Sequence, residues 1–331
     1  MENNGENKKK PSFYNYDGYD YGDFWDKRAY EDNADLMAIE ALSVPDQDAS
    51  MLEIGAGTGR NTLRYPDYKK IYLVDYSITM LEKAVERLGD SDRFEFILAD
   101  TYLLPFKEGS FERVSMIRVS HHLSDLGEAY REIGRVSKNG ARFLMDYANK
   151  TNIKAYLRYF LKKQSWNPSD REPAAVGELT FDYHPEMVEE VLKNAGFRIL
   201  RKRPVGILRG LGIARNKKTM GLANKVEGFF QKTFTGSRLT PSIFMDCEKE
   251  MREGFADNKP EFVCPACKGE LTFREGEGHV CRTCAKLYPY KNRIHNFRSD
   301  LSSPEFTEFE RNNPAYRDYV NNTEEKGKDN E

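Results

Sequence analysis

Between residues 50 and 147 the chain alternates short apolar runs with amphipathic stretches. The runs at Ser50–Ile54, Lys70–Val74, Phe94–Leu98, Arg113–Val119 and Ala141–Tyr147 are near-continuously hydrophobic, the signature of strands buried on both faces. Between them, "ITMLEKAVERLG" places Met80, Leu81, Ala84 and Leu88 on one helical face. "SDLGEAYREIGRVSKNG" reads as a helix with Ser124 as N-cap and Gly140 as its stop. Strands alternating with helices need right-handed crossovers that cover both faces of a sheet, so the pattern predicts a doubly wound α/β fold with a mostly parallel sheet. Further along, "HPEMVEEVLKNAGF" opens with Pro185 in a first helical turn and ends at Gly196. The strand "FRILRKRPV", an amphipathic helix in "MGLANKVEGFFQKTF" and a last strand in "TPSIFMDCEK" follow.

These elements divide the chain into a disordered N-terminus over 1–15, an α/β domain over 16–252 with an insertion at about 206–239, a linker over 253–260, a cysteine module over 261–298 and a polar tail over 299–331. A length of 331 residues suffices for a full α/β core and a small second module. Lysine and arginine total 51 against 53 acids, so bulk charge draws the protein to neither nucleic acid nor an anionic membrane. No apolar run reaches a membrane span, and the N-terminus lacks the centre of a signal peptide, which predicts a cytoplasmic protein. Five cysteines are too few for a disulfide scaffold, and four of them form two C-x-x-C pairs, a metal-binding pattern.

The segment "MLEIGAGTGR" joins the first strand to the first helix, and a glycine-rich turn there suits either a dinucleotide or another nucleoside ligand. The glycines are Gly55, Gly57 and Gly59, and Arg60 stands where a dinucleotide fingerprint has its third glycine. Glu53 at the strand tip would repel a pyrophosphate and attract an ammonium or sulfonium group. On these residues the sequence resembles the class I S-adenosylmethionine-dependent methyltransferases, whose first motif is an acid followed by G-x-G-x-G. The likeness continues from about Asp23 to Glu248 and implies a seven-stranded, Rossmann-like sheet. It also implies that Asp75 accepts from the ribose hydroxyls and Asp100 from the adenine amine, and that Leu104, Pro105, Phe106 and Phe111 cover the adenine. Ala56, Tyr76, Thr101 and Val119 complete the expected cofactor set, and Tyr21, Trp25 or Tyr30 would set an aromatic face near the sulfonium.

Methyl transfer from a sulfonium is an in-line displacement in which the protein chiefly aligns the acceptor, so no universal catalytic residue is expected. His121, His122, Tyr183 and His184 are candidates to take a proton from the acceptor. The Arg198–Arg238 segment, with eleven lysines and arginines against Glu227, offers contact to the phosphates of RNA or of a small anion. The same segment's apolar face (Leu222, Val226, Phe229, Phe230, Phe234) would alternatively roof a quinone or lipid precursor. A non-catalytic scaffold that only binds the cofactor is the rival from another class.

In the cysteine module, Cys264, Cys267, Cys281 and Cys284 have the spacing of a closed, tetrahedral structural zinc site, with His279 or His295 spare. Cys247 reads as a small buried hydrophobe. The module resembles the small zinc-ribbon activator subunits of methyltransferases that modify tRNA, rRNA or translation factors. It departs from them at "NRIHNF", where that family has an Asp-Gly-Ile-Pro turn. The resemblance implies a stabiliser acting in cis or a docking surface for an RNA or protein substrate.

Overall fold

The structure, a computed structural model, describes residues 25, 28–176, 180–211 and 217–298. In chain order its elements are α1 (Ala29–Leu42), β1 (Ser50–Ile54), β2 (Lys70–Asp75), α2 (Ile78–Leu88), β3 (Phe94–Leu98), β4 (Phe111–Met116), α3 (Leu126–Val136), β5 (Ser137–Ala148) and α4 (Ile153–Phe160). The short strands β6 (Ala174–Ala175) and β7 (Phe181–Asp182) precede α5 (Pro185–Asn194), β8 (Phe197–Val205), α6 (Lys217–Thr233) and β9 (Ser242–Lys249). The cysteine module adds β10 (Leu271–Arg274), β11 (Gly278–Cys281), β12 (Leu287–Lys291) and β13 (Ile294–Asn296). Among the described residues no helix is long and apolar enough to cross a membrane.

The seven strands expected of the α/β domain are ordered β3-β2-β1-β4-β5-β9-β8, parallel from β3 to β5, with β9 antiparallel to both its neighbours. This is the doubly wound arrangement that the alternating pattern implies and the Rossmann-like sheet that the methyltransferase resemblance implies. Side chains leave β1 alternately: Met51 joins a core with α1 and α2, while Leu52 packs on the opposite face in a core with α3 and α5.

Two helix limits differ from the sequence reading. Asp125, one residue after Ser124, caps α3, its carboxylate accepting from the Glu128 amide at 2.9 Å. Gly140 does not stop the helix: α3 ends at Val136, and Gly140, with φ of +71°, lies in β5 where the pairing with β4 slips. The glycine absorbs a bulge, a backbone state that L side chains resist. Helix α4 escaped the periodic pattern because much of its apolar surface is exposed, with Phe160 85% accessible.

The cysteine module is built into the main sheet rather than tethered beside it. Strand β13 pairs in parallel with β3, Ile294 opposite Phe96 and Asn296 opposite Leu98, extending the sheet to eleven strands. The residues that carry this contact are those of "NRIHNF": Asn292 and Arg293 both have positive φ, as a two-residue hairpin turn requires, and they return the chain onto the β3 edge. Arg293 donates to the carbonyls of Gly89 and Ser91, and His295 links Glu95 of β3 at 3.1 Å to His279 at 2.8 Å, so both histidines serve the seam. Phe262 packs against Phe106 with ring centroids 5.3 Å apart, and Asn258 and Glu261 hydrogen-bond to the segment before β4. An edge strand that would otherwise present unpaired backbone groups is thereby covered.

Candidate functional site

The strand order reverses between β1 and β4, and the crevice beyond the carboxyl ends of strands at such a point is where open α/β sheets bind ligands. A cavity of about 90 Å³ opens there, lined by Gly55, Asp75, Tyr76, Asp100, Thr101 and Val119. All six are among the expected cofactor residues. Arg118 and His122 also line a second cavity of about 470 Å³, so the two adjoin. The larger cavity alone falls within the roughly 300–1,000 Å³ of small-molecule sites, and the smaller one extends it to the glycine turn.

The turn after β1 runs through left-handed backbone, with φ of +65° at Gly55 and +55° at Gly57. A Cβ at Gly55 would lie 2.1 Å from a Val119 methyl, whereas one at Gly57 would meet nothing within 4 Å, leaving a backbone face open to a ligand. Asp75 holds the turn in place, its Oδ2 accepting from Gly57 N–H at 2.7 Å and its Oδ1 from Ser77 N–H at 2.9 Å. These are two of the roughly four bonds a carboxylate can accept. Asp100 caps a short helical turn through the Tyr102 amide at 2.9 Å and faces the cavity as well.

Other expected residues sit behind the wall. Ala56 is buried and bonds through its amide to the Val74 carbonyl, and the Gly59 amide bonds to Ala56. Glu53 lies beneath the turn, 3% exposed, and accepts from the Thr62 hydroxyl at 2.6 Å. Burial pushes its carboxyl up to about 8, against the opposing pull of the Thr62 bond and the Arg60 charge. A raised folded-state pKa means that the folded protein binds this proton more tightly than the unfolded chain. The group therefore adds no penalty below about pH 4.5 and a growing one up to about pH 8. Glu53→Gln, which keeps an acceptor for Thr62, is expected to raise the melting temperature of the free protein progressively over that window. Melting curves at pH 5 and pH 8 with an equal wild-type gap would refute this placement of the proton.

The N-terminal aromatics divide. Tyr21 lies outside the described residues. Trp25 lines the larger cavity and carries the Arg60 guanidinium 3.6 Å from its ring centroid. Tyr30 is 1% exposed and instead ties α1 to α6: its hydroxyl donates to Glu227 and accepts from the Leu208 amide. Leu104, Phe106 and Phe111 are also displaced from their expected role over a nucleobase, being fully buried against Tyr72 and the cysteine module.

Among the proton-transfer candidates, His121 and His122 lie side by side with tilted rings, centroids 4.0 Å apart, on the wall of the larger cavity. Burial, the neighbouring imidazole and the charges of Arg118 and Arg209 hold His121 well below the usual histidine range, and so neutral. Tyr183 is a core residue whose hydroxyl donates to the Leu123 carbonyl, and His184 caps α5 through the Glu186 amide. Neither lines a cavity described above.

Arg118 is the functional residue that periodicity did not single out, embedded in the apolar run "VSMIRVS". Its φ of +63° is uncommon for a residue with a side chain. Asp146 fixes this backbone by accepting the Arg118 amide at 2.6 Å, and the guanidinium forks onto fully buried Asp35 of α1 and reaches Ser242 of β9 at 2.5 Å. Arg60 lies 3.6 Å from Asp35 and also pairs with Asp32, which in turn pairs with Arg64. A charge in the middle of a buried strand run, matched by Asp35 in a helix and Asp146 at a strand end, was the available signal.

Four basic residues of the segment are paired internally. Arg198 pairs with Glu248, Arg201 with Asp246, Lys202 with Glu189, and Arg238 with Glu186 and Glu189, while Arg215 lies outside the described residues. Far from this site, the sulfurs of Cys264, Cys267, Cys281 and Cys284 lie within 4.8 Å of one another. The closest approaches, 3.6 Å for Cys264–Cys284 and 3.5 Å for Cys267–Cys281, exclude a disulfide and match the roughly 3.8 Å between ligands of a tetrahedron with 2.3 Å metal–sulfur bonds. Cys247 is buried and apart from them.

Comparison with known proteins agrees with the crevice. Residues 52–145 match the family model described as "Methyltransferase domain". The chain is 34% identical over 122 residues to the ubiquinone/menaquinone biosynthesis C-methyltransferase UbiE of Hahella chejuensis, covering 34% of this chain and 49% of that protein. It is 28% identical over 159 residues to the sterol 24-C-methyltransferase ERG6 of Saccharomyces cerevisiae, covering 45% and 39%. A solved complex of the Haloferax volcanii Trm112 methyltransferase activator with a methyltransferase aligns at 15% identity with a TM-score of 0.48, over 69% of this chain and 93% of that one. The chain thus spans about half or less of the curated relatives named here, and the family model matches the segment from β1 to β5.

Proposed function

We propose that the protein is an S-adenosyl-L-methionine-dependent methyltransferase acting on a small molecule, with a zinc ion held structurally by the four cysteines. The observation that carries this reading is the convergence of the glycine turn, Asp75 and Asp100 on one cavity at the switch point of the sheet. In it, Asp75 accepts from the ribose hydroxyls, Asp100 and Thr101 meet the adenine edge, and the open backbone face at Gly57 lets the methionine portion approach. When bound, the cofactor supplies a methyl group on a sulfonium for in-line displacement by an acceptor atom. Arg118 and His122, shared by the two cavities, form the boundary across which acceptor and methyl group face each other. His121, beside His122 and neutral near pH 7, has a free imidazole nitrogen for the acceptor's proton, though burial makes it a weaker base than an ordinary histidine.

The internal pairing of the basic segment argues against a broad RNA-binding face and for an acceptor small enough to enter the larger cavity. The four sulfurs fill a tetrahedral shell, and the Tyr288 hydroxyl lies 3.2 Å from Cys264 Sγ, able to support a thiolate ligand. The ribbon then acts in cis, closing the β3 edge.

The test is transfer from methyl-labelled S-adenosylmethionine into a cell extract separated into RNA, protein, lipid and small-molecule fractions. Label is expected in the small-molecule or lipid fraction, and to fall at least tenfold when both His121 and His122 are replaced by alanine. Label confined to RNA or protein would contradict the acceptor class, and cofactor binding with no transfer to any fraction would favour a scaffold.

A further inference from the structure

The larger cavity has a chemistry of its own. Its wall carries Arg28, Arg118, Lys154, Arg158 and Arg209 against the carboxylates of Glu31 and Asp182. Arg118 is paired from behind with Asp35 and Asp146. Lys154 and Arg209 differ: both are half-buried, and among the described residues neither has a carboxylate within ion-pair distance. They approach from opposite sides, Lys154 from the start of α4 and Arg209 from the loop after β8, and a Cβ on neighbouring Gly210 would sit 3.4 Å from Lys154 Nζ.

Desolvation by burial lowers the pKa of both side chains; the next contributions are the charge of Arg209 at Lys154 and that of Arg118 at Arg209. Half-buried like charges that face one another are costly unless something neutralises them. The fold keeps them together on a cavity wall that also holds neutral His121.

We infer that the methyl acceptor carries an oxyanion, a carboxylate or a phosphate, which Lys154 and Arg209 grip to orient the molecule toward the Arg118–His122 boundary. This rests on the methyltransferase reading for the word acceptor, but the anion site stands on the cavity alone. Arg158, exposed and on the same wall, adds positive charge, while Asp182 and Glu31 face these cations without coming within ion-pair distance of Lys154 or Arg209 among the described residues. The relatives' names point to quinone and sterol acceptors, neither of which needs such a grip.

The experiment is calorimetric titration of the full chain, with and without saturating S-adenosylhomocysteine, using benzoate, inorganic phosphate and uncharged benzamide as probes at pH 7. Benzoate or phosphate is expected to bind, and which of them binds more tightly distinguishes a carboxylate from a phosphate site. Benzamide is expected to bind at least tenfold more weakly than the better anion, and Arg209→Gln and Lys154→Gln each to weaken that anion about tenfold. Arg209→Lys should recover part of the loss, and unchanged S-adenosylhomocysteine affinity in these variants shows that they are folded. Equal binding of benzamide and benzoate, or no binding of either anion by a protein that binds S-adenosylhomocysteine, overturns the inference. Anion binding by a protein that does not bind S-adenosylhomocysteine would uphold the site and overturn the methyltransferase reading.

Discussion

Removing zinc with a chelator, or replacing Cys281 with serine, is expected to unfold the ribbon and to weaken cofactor binding about tenfold without unfolding the α/β core. The first effect follows from size: some forty residues bury too little apolar surface to fold alone, and a closed four-thiolate site supplies about 10–16 kcal/mol toward that folding. The second follows from the seam. Strand β13 pairs with β3, and Arg298, just beyond it, lays its guanidinium 3.9 Å over the Tyr76 ring and donates to the Tyr76 carbonyl at 2.9 Å. Tyr76 lines the smaller cavity, so loss of the ribbon frees a wall of the cofactor site. Hydrogen exchange should show protection lost in Ile294–Asn296 and at the amides of β3 that face it, with β1 and β4 still protected. Unchanged exchange in β3 after Cys281→Ser would mean that the metal site and the sheet edge are independent.

The second large effect is expected at Gly55. Alanine there must adopt a φ near +65° and place its Cβ 2.1 Å from a Val119 methyl, in a wall with no slack. The conformational cost is about 1–2 kcal/mol and the overpacking about 1–3 kcal/mol, so Gly55→Ala should destabilise the protein by roughly 2–5 kcal/mol in denaturant melts. Relief requires Val119 to move, and Val119 lines the cavity, so the folded variant should also lose cofactor binding. Gly57→Ala has strain at φ +55° but no clash, and is expected to cost less stability while still obstructing the open backbone face.

What could be read from the sequence depended on how local the determinant was. Strands β1, β2 and β3 are short runs that their apolar content largely declares, and the glycine turn, Asp75 and Asp100 sit at the ends that those runs locate. Tyr30 and Tyr183 were misplaced because an aromatic hydroxyl near a motif looks the same whether it meets a ligand or, as here, a buried Glu227 or the Leu123 carbonyl. Arg118 was hidden for the opposite reason: its partners Asp35 and Asp146 are distant in sequence, and only the fold joins them. The docking of β13 on β3 was equally invisible, since a three-residue strand carries almost no pattern and its register is set by the partner edge.

Glu53 lies beneath the turn rather than open to a ligand. An acid at the tip of β1 suggested direct attraction of a cationic ligand, yet the side chain is sealed under the turn and its proton is held up to about pH 8. Its contact with Thr62 braces the glycine turn from below. A cationic cofactor arriving above would draw the carboxyl toward ionisation, so binding near pH 7 should release a fraction of a proton.

The central claim is that the crevice at the β1–β4 reversal binds S-adenosylmethionine. Calorimetric titration of S-adenosylmethionine into the zinc-loaded full chain tests it most directly, with Gly55→Ala as the matched control. The account predicts one site per chain, heat that varies with the buffer's ionisation enthalpy as a proton leaves, and no measurable binding by the variant. Absence of binding by the wild-type protein, or equal binding by Gly55→Ala, would contradict it.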